Sequence, residues 1–343
     1  MKRRFQNRIA ESAVTLPAVC VATTLLWWLP QGAYSTDYLL GWLLCALTAY
    51  AVIETSATCR LMRVRSRMVS SLLLLLLAAC GFLHPLQAGT LVLACMAVSF
   101  YFLLQTYDQP CPETDVWHTY LFLSLASLFW APILLLTPLM LWIQGIYLRT
   151  LRGKTLIAAL IGLLHPYFFW AVGALFLGRI DALAAHVASI LAPFAEPCRW
   201  QWVVDAAYAA DFRGFWPLLV SGLQLRLQSH LPEASALALL CLVGITGFVH
   251  YLRKNYDDKI RVRASHYCFL ATEFVVGLWL LLQPMYFHQL FPLLLLAVAP
   301  SAAHFVALTH TPWTNAWTVC LALLLLAVGI VCLVLESPLI LLL

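Results

Sequence analysis

The residues best suited to chemistry lie in one polar segment, residues 179–233, between two long apolar runs. Arginine side chains can hold a phosphate through paired hydrogen bonds, aspartates can act as general bases, and a histidine can carry a proton. The candidates are Arg199, Arg213, His186, Asp205 and Asp211. The same composition is also typical of an aromatic belt whose arginines reach lipid phosphates, and the spacing favours no single residue.

The chain around this segment is strongly apolar. Apolar residues make up 63% of its 343 residues and charged residues 10%, whereas a typical soluble domain has about 25% charged residues. One soluble core could not bury this much apolar side chain, so the lipid bilayer must solvate much of it. The net charge of +5 comes from basic clusters in loops, which indicates membrane topology and not nucleic-acid binding.

The apolar segments predict an all-α transmembrane bundle that forms a single domain over residues 1–343. They lie at about 12–29, 38–57, 68–83, 89–107, 119–148, 155–178, 234–252, 267–283, 285–308 and 315–335. We expect each of them except 119–148 to cross the bilayer once, giving about nine full spans. Residues 179–233 then form a long external loop with an amphipathic interfacial helix that begins near Asp181.

The segment Thr119–Leu148 is long for one crossing and short for two. It has no charge, and as one helix it would measure about 45 Å against a hydrocarbon core of about 30 Å. A hairpin of two limbs, each of about fourteen residues, would leave all but four of the 20 lysines and arginines on one side, whereas a single crossing would divide them 12 to 8. Because basic short loops stay in the cytoplasm, we expect the hairpin, a cytoplasmic N-terminus and an external C-terminus.

Two prolines in this segment predict where the hairpin turns. Pro132 lacks an N–H and disfavours helix at Ala131, so the break falls there or near Pro138. Backbone groups freed at such a break cannot face lipid. Two interpretations stay open: a tightly packed hairpin, and a re-entrant element that lines a substrate cavity, as broken helices do in transporters.

Several ionisable side chains fall inside the predicted spans and are candidates for function. Such groups are costly in a membrane and often mark ion or proton pathways. Glu54 is the weakest candidate because it can reach the interface near Arg60. The alternative for each is a neutral residue that is hydrogen-bonded to a neighbouring helix. The candidates are Glu273, His165, His288 and Glu54, with His304 also predicted in mid-span.

Other motifs are absent from the sequence. It contains no phosphate-binding glycine loop, dinucleotide fingerprint, zinc-protease motif or nucleophile elbow, so nucleotide hydrolysis and those hydrolase chemistries are not expected. The eleven cysteines include no CxxC pair and no Cys/His cluster at zinc spacing. We therefore predict free cysteines that behave as small hydrophobes, no bound metal and no cofactor.

Three stretches carry a resemblance to a known family. They are DVWHTYLFLSLASLFWAPILLL with the basic turn Arg149–Lys154, the start FQNRIAESAVTLP, and the late FHQLFPLLLLAVAP. These stretches resemble an uncharacterised family of polytopic inner-membrane proteins from Bacteroidota, and the resemblance implies a bacterial inner membrane.

At a coarser level the layout is similar to that of multi-span glycosyltransferases and ligases that use lipid-linked sugars. This similarity implies transfer or polymerisation of a polyprenyl-phosphate-linked sugar at the external face. Two other functions stay open: a membrane transporter or flippase, and a non-catalytic subunit that binds other membrane proteins in an envelope assembly.

Overall fold

The computed structural model describes residues 5–28, 35–64, 66–195 and 230–336, and this part of the chain is helical without a β-strand. The helices, numbered in chain order, are α1 Phe5–Glu11, α2 Thr15–Trp28, α3 Thr36–Thr58, α4 Met68–Ala79, α5 Ala88–Gln105, α6 Glu113–Phe129, α7 Thr137–Ile143, α8 Gly153–Phe176, α9 Ile180–Ser189, α10 Ala192–Ala195, α11 Leu231–Lys254, α12 Ile260–Leu282, α13 Phe287–Leu308 and α14 Pro312–Glu336. The predicted all-α class is confirmed.

The chain is a multi-pass membrane protein. Within the described ranges, 8 helices are long and apolar enough to cross a bilayer, or up to 9 if α1 and α2 are counted as one bent span. The prediction differs from the structure in three places. The 8 helices include Ala131–Leu148, which belongs to the predicted hairpin and was not expected to be a full span. Helix α4 has only 12 residues, about 18 Å, which is short for a crossing. Helix α1 meets α2 at 87°, so Phe5–Glu11 is a separate short helix, and α2 alone has 14 residues.

The predicted hairpin is present. Helix α6 ends at Phe129, and Trp130 then adopts an extended backbone (φ −153°, ψ 96°). The second limb, Ala131–Leu148, combines a 3₁₀-helix, α7 and a π-helix. The Tyr120 hydroxyl donates to Gln144 Oε1 at 3.1 Å, although a straight helix would separate these residues by about 36 Å. The segment therefore turns back on itself.

The limbs of this hairpin are longer than predicted. The first limb begins at Glu113 and has 17 residues, and the second has 18. The apolar pattern missed the polar first turn of α6, where Glu113 and Asp115 lie. Acidic side chains favour that position because it carries the positive end of the helix dipole. Pro132 occupies the first turn of the second limb, where its missing N–H costs no hydrogen bond.

The basic clusters gather at one end of the bundle, as the hairpin requires. Arg63 Nη1 donates to the Asp257 carbonyl at 3.4 Å, so the loop after α3 meets the loop between α11 and α12. The Ser66 hydroxyl donates to a backbone carbonyl of α1. The stacked rings of Tyr147 and Tyr267, with centroids 5.4 Å apart, bring the end of the hairpin to the same place. We call this the basic end.

The described flanks of the long loop lie at the opposite end. The Gln283 side-chain amide, just after α12, donates to the Pro193 carbonyl beside α10. The His288 ring at the start of α13 contacts the Phe82 ring, with centroids 6.0 Å apart. Helix α9 has no buried residue and carries Asp181 in its first turn, in agreement with the predicted surface helix.

Helix α13 forms the centre of the bundle. Its residues from Leu290 to Ala307 are buried against α4, α5, α11 and α12. It contains Pro292 and Pro300, each of which removes an N–H from the helix and frees the carbonyl one turn earlier. A helix with these interruptions is tolerated in a membrane where surrounding helices cover it.

Helix α1 covers the C-terminal end of α13. Asn7 Nδ2 donates to the Ala307 carbonyl at 3.0 Å and to the Thr309 carbonyl at 3.1 Å. Gln6 Nε2 donates to the Thr309 hydroxyl at 2.8 Å. The last carbonyls of a helix lack intrahelical partners, so these two buried amides satisfy groups that lipid could not.

The placement of the basic end is testable by thiol labelling. Cys111 is exposed in the loop between α5 and α6 at the basic end. If basic loops stay in the cytoplasm, a membrane-impermeant maleimide applied to intact cells should leave Cys111 unlabelled and should modify it after permeabilisation. Arg179→Cys, at the opposite end, should be labelled in both cases.

The background for this experiment replaces Cys198 with serine, and Cys111→Ser identifies the signal. Labelling of Cys111 in intact cells at the rate of the Arg179→Cys site would contradict the orientation.

Candidate functional site

Most of the predicted loop candidates fall on residues outside the described ranges. Arg199, Arg213, Asp205 and Asp211 are all among residues 196–229, and only His186 is described. The predictions for those four residues stay predictions.

His186 lies at the foot of the long loop in a small polar group. Its Nε2 is 3.4 Å from the Tyr167 hydroxyl, which shares a hydrogen bond of 2.8 Å with Ser127 Oγ. Ser127 is fully buried on α6, Tyr167 belongs to α8 and His186 to α9. The Trp170 ring stands edge-on to His186, with centroids 4.7 Å apart. Three helices thus position one imidazole beside the Tyr167 hydroxyl, which Ser127 holds in turn, at the end opposite the basic end.

Two of the intramembrane candidates have ordinary surroundings. Glu54 accepts a hydrogen bond of 3.2 Å from the Thr58 hydroxyl one turn later. It lies close to the end of α3, as expected for the weakest of the intramembrane candidates. His165 stands edge-on to the Trp117 ring, with centroids 5.5 Å apart, and to the Phe169 ring at 5.1 Å. An aromatic setting of this kind is typical of a packed side chain.

His288 is not in mid-span, and that prediction is wrong. It is the second residue of α13, at the end opposite the basic end, and its side chain is 47% exposed. Its Nε2 lies 4.0 Å from Glu233 Oε1, and His230 Nδ1 lies 3.6 Å from the other oxygen of that carboxylate. The predicted segment 285–308 itself begins only three residues before His288, and the helix begins at Phe287 after the separate 3₁₀-helix Pro284–Tyr286. His288 therefore lies in the first turn.

Glu273 lies near the middle of α12, where it meets α11 and α13. The Ser301 hydroxyl lies 3.4 Å from Glu273 Oε2 and donates to the Val298 carbonyl at 2.9 Å. On α11, a β-carbon at Gly244 would come within 2.9 Å of Glu273 Oε1. Glycine at this position therefore leaves the space that the carboxyl group occupies.

A group of polar side chains, all buried except the half-buried His250, lies on the basic-end side of Glu273. We call it the histidine cluster; it comprises His250, Tyr251, Asp258, His266 and His304. His304 Nε2 is 2.9 Å from Asp258 Oδ2, and the two side chains are 2% and 1% exposed. The rings of His304, Tyr251 and His266 have centroids between 4.5 and 5.4 Å apart.

The sequence pattern singled out only one member of this cluster, and it misplaced that member. His304 lies near the end of α13 beside the loop between α11 and α12, and not in mid-span. His250 and His266 were missed because they flank a strongly charged loop whose charges suggested exposure to water. The signal that could have found them is one histidine in each helix that flanks the loop, at a similar distance from it.

Electrostatics explains how Asp258 is held. It lies in the loop between α11 and α12, where burial alone would raise the pKa of its carboxyl group. The hydrogen bond from His304 and the electrostatic interactions with His304, His266 and Arg63 outweigh that burial, so the pKa of Asp258 lies below its usual value. Asp258 is therefore a carboxylate acceptor at neutral pH, and His304 donates its Nε2–H to it.

Two internal cavities are small. One lies beside Thr55, Phe100 and Pro300 and the other beside Trp27 and Cys45, and each has about 10 Å³, about the space of one water molecule. In the described ranges no group of three or more His, Cys, Asp or Glu side chains is arranged to hold a metal ion. Cys45, Cys59, Cys95 and Cys268 are free thiols in the bundle, as predicted.

The chain matches no family model and no curated protein.

The packing around Glu273 generates a prediction for two glycines. A β-carbon at Gly247 would lie 2.7 Å from the Ala302 nitrogen and 2.8 Å from the Ser301 carbonyl carbon. These are backbone atoms of α13 that cannot rotate away, so Gly247→Ala should lower the free energy of unfolding by about 1–3 kcal/mol. The measurement is the thermal unfolding midpoint in mild detergent.

Gly173→Ala on α8 is the matched control, because a β-carbon there meets nothing within 4 Å. It should be neutral or stabilising, since alanine favours a helix over glycine. Equal midpoints for the two variants would show that α11 and α13 are not packed as closely as described.

Proposed function

We propose that this protein couples proton movement to the transport of a solute or lipid across a bacterial inner membrane, with Glu273 as the proton-binding group. The observation that supports this most directly is a carboxyl group near the middle of α12, beside the Ser301 hydroxyl, in space left by Gly244. Ionisable groups at such depth are rare and commonly serve ion or proton pathways.

The neighbouring groups along α13 support the same function. Ser301 can accept and donate a proton through its hydroxyl. His304 follows three residues later, about 4.5 Å further along the helix axis, and is bound to Asp258 beside the basic end. A proton on Glu273 therefore has acceptors in the direction of that end.

The helices that surround this line have features typical of moving elements. Helix α13 contains two prolines, and the hairpin turns at Trp130, whose backbone is extended. Transporters commonly place discontinuous helices beside their binding sites. This proposal therefore treats the hairpin as a re-entrant element that lines a substrate cavity.

The cellular setting of the proposal comes from the sequence. The resemblance to a Bacteroidota family supports a bacterial inner membrane. The gathering of basic loops at one end supports a cytoplasmic position for that end and for the N-terminus.

The proposal predicts that protonation of Glu273 moves charge within the membrane. A pH step applied to proteoliposomes adsorbed on a solid-supported membrane should give a transient current with the unaltered protein. Glu273→Gln keeps the size and hydrogen-bonding capacity of the side chain but binds no proton, so it should reduce this current at least tenfold. Current amplitude per reconstituted protein is the measurement.

Glu54→Gln is the matched control, because Glu54 is a helical glutamate near the basic end that is bound to Thr58. It should retain the current. A Glu273→Gln protein that gives the same current as the unaltered protein would remove Glu273 from the pathway and with it the proposed function.

The position of His186 favours a second candidate function, transfer of a polyprenyl-phosphate-linked sugar at the external face. Its imidazole stands beside Tyr167. His186 lies on α9, shortly before residues 196–229, which contain Arg199 and Arg213. A histidine bonded to a hydroxyl group can move a proton, and arginine side chains can hold a phosphate.

This second candidate predicts a loss of glycan without a loss of protein. His186→Ala and Arg199→Ala should each reduce the surface glycan of the bacterium at least tenfold while the protein still accumulates in the membrane. His230→Ala, an exposed histidine at the same end, should have no effect. Unchanged glycan in both variants would eliminate sugar transfer by this site.

A further inference from the structure

The histidine cluster contains several buried polar atoms that have no hydrogen-bond partner among the described residues. They are His250 Nε2, Tyr251 Oη, Asp258 Oδ1, His266 Nδ1 and His304 Nδ1. Tyr251 and His266 are 0% exposed, and His304 is 2% exposed. Each such atom costs about 1–3 kcal/mol if it stays without a partner.

The atoms belong to side chains that lie together. The Tyr251 and His266 rings stack with centroids 4.5 Å apart, and the His304 ring stands edge-on to Tyr251 at 4.9 Å. The His250 ring lies 5.4 Å from His304. Because native proteins rarely leave even one buried polar group without a partner, five of them in one cluster indicate a bound polar molecule.

The polar atoms define the chemistry of that molecule. Asp258 Oδ1 accepts a hydrogen bond, and the Tyr251 hydroxyl can donate or accept. His304 donates through Nε2 to Asp258, so its Nδ1 is an acceptor when the ring is neutral. An occupant must therefore donate to Asp258, can also accept from Tyr251, and must be small enough to fit between packed rings. Water meets these requirements, since buried water typically makes about three hydrogen bonds.

We propose that the histidine cluster binds one or two ordered water molecules that join Tyr251, Asp258, His266 and His304 into a hydrogen-bonded chain. The charged groups that face it from neighbouring elements are Arg63 toward Asp258, Lys254 toward His250 and Arg263 toward Tyr251. The chain connects His304 to the basic end. Its role as the exit for protons from Glu273 rests on the proposed function, whereas the water site itself does not.

A single hydroxyl deletion tests the water site. Tyr251→Phe removes the oxygen and keeps the ring that stacks on His266. If the hydroxyl binds water, the loss of its hydrogen bonds should lower the thermal unfolding midpoint in mild detergent by about 2 °C. If the hydroxyl has no partner, its removal should raise the midpoint, because a buried orphan group is deleted.

Tyr120→Phe is the matched control. Tyr120 is also fully buried, but its hydroxyl donates to Gln144 Oε1, so the same change removes a known hydrogen bond and should lower the midpoint. A fall with Tyr251→Phe comparable to the fall with Tyr120→Phe supports the water site, and a rise overturns it.

An experimental density map gives a second readout. We expect a solvent peak within about 3 Å of both Tyr251 Oη and Asp258 Oδ1 in the unaltered protein and a weaker peak in Tyr251→Phe. A map of the unaltered protein in which side chains fill that position and no solvent peak is present would overturn the proposal.

The proton-exit role has a separate readout. In the solid-supported-membrane experiment, Tyr251→Phe should slow the decay of the pH-step current severalfold without abolishing its amplitude, whereas Glu273→Gln should abolish the amplitude. An unchanged decay in Tyr251→Phe would remove the exit role. An unchanged amplitude in Glu273→Gln would remove the proposed function and leave the water site to be decided by unfolding and density.

Discussion

The constraint on which this bundle depends is the complete enclosure of α13. A helix interrupted by Pro292 and Pro300 exposes backbone groups that lipid cannot satisfy, so other helices must surround it. They approach closely because glycine stands at the contacts: a β-carbon at Gly89 would overlap the His288 carbonyl, and one at Gly247 would meet the backbone of Ala302. The position of every polar side chain on α13 follows from this packing.

That packing also separates two kinds of chemistry. The proposed proton transfer through the protein rests on Glu273, which lies beside Ser301 on α13. It also rests on His304, which lies three residues further along α13 and is bound to Asp258. The group around His186 lies at the opposite end, where α9 is exposed. That position suits a reaction with a substrate that reaches the surface of the protein, such as a lipid-linked sugar. The His304–Asp258 pair of the first group is almost completely buried, and the first group supports the more specific proposal.

Sequence reasoning succeeded where one physical rule dominates. The distribution of arginine and lysine predicted that Thr119–Leu148 folds back, and the Tyr120–Gln144 hydrogen bond confirms it. It failed where rules compete. Charged residues near Asp258 indicated a solvated loop, although His304 draws that aspartate into the bundle. Nothing in a single sequence specifies which helices meet, so the cluster that joins His250 and His266 could not be predicted.

The hold of α1 on the end of α13 has a consequence for biogenesis. Asn7 binds carbonyls about 300 positions later in the chain. At ribosomal rates of about 5–20 residues per second, roughly 15–60 s separate the synthesis of the two partners. During that interval the amides of α1 must rely on water or lipid headgroups. A nascent chain that stops before Ala307 never forms these hydrogen bonds. Its helix α1 stays unpacked, so a protease that cleaves unpacked segments could distinguish an unfinished chain from a finished one at α1.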